Sequence, residues 1–399
     1  MTSAPTESFE GLISSLKDTL QNSPALTTHL STVIVLPDAT RPLPFVPLLT
    51  ALLDLFDEHP TSTTLLIGQG LHRKMTTEEL QGITTLLSSR SSRADLLQHD
   101  AQKAPFLGTT KEDQVPVALH RELLKAERIL VVSTVEPHQY AGFSGGSKGI
   151  SIGCAGRETI SAMHGLSFLR DENTTLGSIK KNPFRRNLDE ILDFLCPDQL
   201  LGLQCLPAPK APGKLMGFHF GPLPQAFLRA VEDAKNLYFR DSPPLDWAHL
   251  PIPTAKASNF YQASRGATYL ALLPETALRK GAPILIEASC PEGMGQGAGE
   301  KACAQAMHRG AQQLLEELYS PQLEQENQGG AQRAYVLAKA LARNPIALIG
   351  SPPIPSLKAF GIPQFSELEQ AKQYYQLSGD ARLDDIFHRL PCRFVSQEK

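Results

Sequence analysis

The sequence predicts an α/β protein of two domains, and three observations carry that expectation. The chain has 399 residues, about twice what an ordinary domain needs. A strand, loop, helix order recurs through its first half, as in doubly wound sheets. The pattern breaks at Asp241-Ser242-Pro243-Pro244, close to the lone tryptophan, and then resumes. The expected division is an N-terminal domain over 1–241, a C-terminal domain over 242–380, and a segment 381–399 whose packing the sequence leaves open.

The first predicted strand is the β-branched run Val33 to Leu36, followed by a helix from Phe45 to Phe56. Thr64 to Ile67 forms the second, and after the loop Gly68 to Met75 a helix opens at Thr76, where Glu79 completes a capping box. The third, Arg128 to Thr134, leads into a glycine-rich loop and a helix from about Gly156 to Leu169. In such sheets the loops leaving the carboxyl ends of the strands gather at one edge, so all three loops are expected to converge. Beyond the break come a helix from about Tyr261, a strand Pro283 to Ala288, helices Gly299 to about Leu318 and Ala331 to Arg343, and a strand Ile346 to Gly350. Residues 321–330 read as a solvated loop or frayed helix end, and no repeat of solenoid period appears.

Hydrophobic residues make up 41% and charged residues 20%, with 38 Lys+Arg against 41 Asp+Glu and a net charge of -3. That balance is globular, and without a basic run it supports neither a nucleic-acid partner nor a membrane one. Six scattered cysteines include no Cys-x-x-Cys pair, so they read as reduced structural thiols. The N-terminal residues lack the basic start and apolar core of a signal peptide, and no apolar run reaches membrane-spanning length, which places the protein in the cytoplasm as an expectation. The oligomeric state is not readable.

The densest chemistry lies from Glu136 to Lys148. Gly142, Gly145 and Gly146 free the backbone to turn its N–H groups toward an anion, while Ser144, Ser147 and Lys148 add donors and charge. Lys148 follows Ser147 and precedes Gly149, which excludes a Walker-type loop, and no dinucleotide fingerprint is present. Phosphate or nucleotide binding and a plain surface loop both stay open. His72 and His138 lie just beyond predicted strand ends and His164 on the next helix; imidazole is the usual base near pH 7 and a common metal ligand. Asp38, Thr40 and Arg41 offer a carboxylate, a hydroxyl and a guanidinium at a strand end, where Arg41 can clamp a carboxylate. Asn259 to Arg265 opens a helix with hydrogen-bonding groups, and Cys290, in a glycine loop after a strand, is a nucleophile only in principle.

Taken together these residues resemble the nickel-pincer lactate racemase family. The segments are Asp38 to Pro42, Gly70 to Arg73, His99-Asp100, Glu136 to Lys148, Ala155 to His164 and Tyr261-Gln262, in the family's order over most of the chain. The resemblance implies two α/β domains with the active site in the cleft between them. It implies a cofactor that is a nickel-pincer nucleotide, a pyridinium mononucleotide with thioamide and thiocarboxylate arms, tethered to Lys148, with His164 as protein ligand to nickel. It assigns His72 and His138 to acid–base catalysis, and Asp38, Thr40, Gly142, Ser144, Gly145 and Gly146 to the cofactor. Arg41, Tyr261, Gln262 and Arg265 fall to the substrate, a small 2-hydroxy acid.

The implied activity is racemisation or epimerisation by proton-coupled hydride transfer. The α-hydrogen beside a carboxylate is a very poor acid, so removing hydride avoids the carbanion. The sequence departs from the family at Arg265, where lysine is common, at Leu71, where a small hydroxyl residue is common, and at Ile152, where proline often precedes Gly153. A planar guanidinium fork does not replace an ammonium conservatively, which puts the substrate's identity in question. A nucleotide-binding dehydrogenase or transferase and a non-catalytic cofactor carrier are the alternatives.

Overall fold

The computed structural model describes residues 8–26, 29–41, 43–58, 62–90, 94–209, 211, 213–320 and 329–393. Pro42, residues 321–328 of the polar stretch and 394–399 of the terminal segment lie outside them. The chain forms two compact units, each discontinuous in sequence. Unit 1 comprises 1–137, 143–163 and 184–235; unit 2 comprises 138–142, 164–183 and 236–399.

Unit 1 is built on a six-stranded sheet of β1 (Thr32–Pro37), β2 (Thr63–Gly68), β3 (Ala94–Gln98), β4 (Arg128–Thr134), β5 (Gln199–Pro207) and β6 (Leu215–Pro222), in the order β6-β5-β4-β1-β2-β3. All neighbours are parallel except β6 and β5. Burial on both faces explains why β1 reads as an unbroken apolar run rather than an alternating one. The helices Phe9–Gln21 and Phe45–Glu58 supply Leu16, Leu20, Leu52 and Phe56 to a core shared with Ile34, Leu65 and Leu130. The helix Thr77–Ser88 starts at the expected capping box between Thr76 and Glu79. Because β4, β1 and β2 are adjacent and parallel, their carboxyl ends lie side by side.

Unit 2 carries a parallel four-stranded sheet of β7 (Ala248–Pro251), β8 (Ile284–Glu287), β9 (Ile346–Ile349) and β10 (Gln364–Phe365), in chain order. The terminal segment belongs here: Leu390–Cys392 pairs in parallel with Phe239–Asp241, so the first residue of the 241–244 break is strand.

Two expected helices are corrected. Gly156 to Leu169 is two helices, Arg157–Met163 and Leu166–Arg170, because Gly165 adopts extended backbone at φ −64° and ψ 159°. His164 therefore sits in the turn between them, not on a helix. Likewise Gly310, at φ +87°, divides Gly299 to Leu318 into Ala298–Met307 and Ala311–Tyr319. Strands β3, β5 and β6 and the helix Leu223–Tyr238 had no sequence-based assignment.

Candidate active site

In unit 1 the loops after β1 and β2 meet through Asp38. Its Oδ1 accepts from the backbone N–H of Thr40 at 3.1 Å and from Thr40 Oγ1 at 2.5 Å, and its Oδ2 is 2.6 Å from His72 Nδ1. Burial works against the charged carboxylate, but the hydrogen bonds from His72 and Thr40 outweigh it and hold Asp38 below the usual range. An ionised carboxylate can only accept, so His72 carries a hydrogen on Nδ1, and whenever the ring is neutral its lone pair is on Nε2. The His72 side chain is 61% exposed, open to a reactant.

Lys148 begins a short helix, Lys148–Ser151, after the glycine loop. Burial, with repulsion from Arg41 and Arg185, pushes its ammonium down to about 7, and its Nζ makes no hydrogen bond or ion pair among the described residues. Asp38, Arg41, His72 and Lys148 thus share one electrostatic neighbourhood, as the converging loops predict.

Arg185, which sequence reasoning missed, supports the loop from beneath. Its guanidinium donates to the carbonyls of Phe143 and Gly145 and lies 4.5 Å from the centre of the Phe227 ring. Burial lowers it to about 10. Gln204 Oε1 accepts from the Gly146 N–H at 2.7 Å and from Ser133 Oγ at 2.8 Å. Ser144 Oγ donates to Thr134 O and accepts from the Glu136 N–H. A Cβ at Gly145 would lie 2.8 Å from Val135 and one at Gly146 2.8 Å from Phe227, both at positive φ. The observed work of Ser144, Gly145 and Gly146 is therefore close packing of the loop on the sheet. Nothing in the sequence marks Gln204 or Arg185 as partners of a loop 40 to 60 residues away, roughly counted, since the pairing is purely tertiary.

Unit 2 holds the remaining predicted residues. His138 Nδ1 accepts from the N–H groups of Tyr140 at 3.3 Å and Ala141 at 3.2 Å. Tyr140 stands between the two histidines, its ring centre 6.2 Å from that of His138 and 5.8 Å from that of His164. Burial pushes its phenol up to about 12, so it stays protonated. Gly142, at φ +74°, belongs to this unit too: a Cβ there would fall 1.8 Å from Ser178 O, so no other residue fits. On the helix Phe260–Leu272, capped by Asn259, Tyr261 and Arg265 come together with Arg333, a residue that sequence reasoning missed. Gln262 donates its N–H to the capping Asn259 Oδ1 at 3.0 Å. Cys290 is buried, which pushes its thiol up to about 11 and leaves no thiolate near neutrality. Among the described residues no three His, Cys, Asp or Glu side chains cluster as a metal site, all six cysteines are unpaired, and no helix is long and apolar enough to cross a membrane.

Comparison with known proteins gives three kinds of match. Residues 5–177 match the family model of the lactate racemase N-terminal domain. A lactate racemase of Thermoanaerobacterium thermosaccharolyticum is 25% identical over 273 residues, 66% of this chain and 61% of that protein. One from Lactiplantibacillus plantarum is 26% identical over 164 residues, 39% of this chain and 37% of its own length. The chain thus spans less than two thirds of either relative. Among solved structures, the lactate racemase apoprotein from T. thermosaccharolyticum superposes with a TM-score of 0.78 at 20% identity, covering 97% of this chain and 92% of that one. A protein from Thermotoga maritima gives 0.63 at 17% identity, covering 99% and 100%. These two likenesses establish the fold.

Proposed function

Residues 5–177 belong to the lactate racemase N-terminal domain family, and from that premise we propose that the protein is an isomerase, a racemase or epimerase of a 2-hydroxy acid. The observation that carries the reading is the Asp38–His72 pair in one neighbourhood with Arg41 and an unbonded Lys148. It combines a base with a fixed tautomer, a cation for a carboxylate and an amine able to form a covalent link.

The residues also fit the nickel-pincer nucleotide that the family resemblance implies. An amine held near pH 7 is substantially neutral, hence nucleophilic, in ordinary buffer, as attachment to a carbonyl carbon requires. Arg41 and Arg185 give that amine a positive surrounding suited to an anionic nucleotide. A metal held mostly by its cofactor's own donors needs no cluster of protein ligands, and His164 would supply the one nitrogen. Lys148 would tether the group. When bound, it supplies a reversible acceptor for hydride.

The chain's own residues then do the following. Arg41 holds the substrate carboxylate through its fork. His72 Nε2 takes the hydroxyl proton, and Asp38 stabilises the resulting imidazolium without accepting the proton itself. His138 is the second acid–base group; when neutral it carries its hydrogen on Nε2, because two amides point at Nδ1, and from there it hydrogen-bonds the substrate oxygen. The buried, protonated Tyr140 fixes the rings of His138 and His164 by packing.

The test is a chirality-resolved assay of 2-hydroxy acids with protein produced alongside the cofactor's biosynthetic enzymes. An equal mixture from either pure enantiomer is expected. A protein inert to every acid would be a carrier, and one needing added nicotinamide nucleotide would be a dehydrogenase; either outcome overturns the proposal.

A further inference from the structure

Among the described residues, two guanidinium groups in unit 2 lack a counter-charge. Arg265 Cζ lies 5.9 Å and Arg333 Cζ 5.5 Å from the centre of the Tyr261 ring, one from the helix Phe260–Leu272 and the other from Gln332–Arg343. Arg333 is only 7% exposed, and its Nη2 finds no more than Ser264 Oγ at 3.2 Å and the Tyr261 carbonyl at 3.5 Å. The Nε atoms of both arginines are buried without a hydrogen-bond partner. Neither makes an ion pair among the described residues. Glu292, in the loop before the helix Ala298–Met307, and Glu300, on that helix, bond to Asn259 Nδ2 instead.

A buried guanidinium without an anion is costly, and two around one ring also repel each other. Stacking on Tyr261 offsets part of this, but it leaves the in-plane N–H groups without an anion, and those are the groups that match a carboxylate bidentately. Both arginines also lie within electrostatic reach of Tyr140, the ring that packs against His138 and His164. An anion held by the pair is therefore held beside the residues assigned to the chemistry.

We propose that Arg265 and Arg333 form a carboxylate subsite around Tyr261, and that the substrate is a 2-hydroxy acid bearing a second carboxylate. This rests on the racemase reading for its reaction, but the subsite itself can be judged separately. Arginine at 265 supplies a second fork where a single ammonium would give a point charge.

The experiment has two arms. In the first, loaded enzyme is assayed with a four-carbon 2-hydroxy dicarboxylate and with 2-hydroxybutyrate, for the parent, Arg333→Met and Arg265→Gln. The parent is expected to favour the dicarboxylate at least tenfold in kcat/KM, and each variant to bring that ratio close to one, mainly through KM. In the second, succinate and butyrate are titrated into the same proteins as purified, with binding read by calorimetry and nickel content measured in parallel. Succinate alone should bind, and Arg333→Met should lose it while keeping its nickel. Arg265→Gln, at a half-exposed position, covers the case in which Arg333→Met does not fold. A parent that prefers the monocarboxylate, or a ratio unchanged in the variants, overturns the subsite while leaving racemisation standing. Succinate binding in a protein that racemises nothing would support the subsite and sink the racemase reading. Nickel lost with Arg333, with no succinate binding in the parent, would mean that the pair holds the cofactor's anion and would overturn the proposal.

Discussion

His72 in unit 1 and His138 in unit 2 are the same side chain prepared in opposite ways. His72 donates from Nδ1 to an ionised Asp38, which leaves the lone pair of the neutral ring on Nε2. His138 receives two backbone N–H groups at Nδ1, which places the hydrogen of the neutral ring on Nε2. The first is positioned by a hydrogen-bonded carboxylate, the second by a loop backbone and the ring of Tyr140. The difference teaches that the two rings are not interchangeable at rest: when neutral, one offers a lone pair at Nε2 and the other an N–H.

The largest effects should come from the groups proposed to hold the cofactor. Lys148→Ala is expected to abolish any covalent adduct by intact-mass analysis, whereas His164→Ala should keep the adduct, keep the fold and lose nickel. An adduct mapped to another residue, or equal nickel in parent and His164→Ala, would break the division of labour proposed for these two residues.

Next come the histidines. His72→Ala and His138→Ala should each lower racemisation by about 10²- to 10⁴-fold, the usual worth of positioned acid–base groups. In single-turnover assays with each pure enantiomer, the two variants should show opposite preferences for accumulating bound keto acid. Identical preferences would erase the asymmetry.

Asp38→Asn sharpens the same contrast, because it preserves size but lets His72 adopt the wrong tautomer. A fall of roughly 10²-fold or more in kcat with little change in KM is expected, given what mis-set tautomers cost in related dyads. A rise in KM alone would make Asp38 a binding group.

The smallest effect concerns stability. His99 is fully buried in unit 1, its Nε2 2.8 Å from Ala155 O, and burial lowers it to about 4. The unfolded chain takes up this proton near the ordinary value while the folded one resists until much lower pH, so the stability is complete above about pH 6.5 and is lost as pH falls toward 4. Urea midpoints should report a loss of about 2 kcal/mol between pH 7 and pH 5, and His99→Gln should flatten that slope.

Much of this organisation was legible in the sequence, for identifiable reasons. Strands β1, β2, β4, β8 and β9 announce themselves because strands buried on both faces must be continuously apolar, and the Thr76–Glu79 box marks a helix start chemically. Strand β3 escaped because it alternates half-buried and exposed residues around Asp95, and β6 because it pairs antiparallel at an edge and is mostly half-buried. Single glycines at 165 and 310 cut helices that periodicity alone would run on. Asp38, His72 and Lys148 were found as neighbours through strand order. Arg185, Gln204 and Arg333 were not, since their partners come from distant segments with no local signature.

The interleaving of the two units dictates an order of assembly on the ribosome. Residues 138–142 and 164–183 are synthesised within the first unit but pack with chain that does not yet exist. Gln139 waits 129 residues for Thr268, Arg170 waits 148 for the Leu318 carbonyl, and the Leu169 carbonyl waits 170 for Lys339. Until then Leu166, Phe168, Leu169 and Leu176, all buried in the finished protein, have nothing to cover them. A nascent chain halted at the 241–244 break would display a sticky apolar strip, so fragment expression should yield aggregates, and the intact chain should draw on chaperones mainly during its second half of translation.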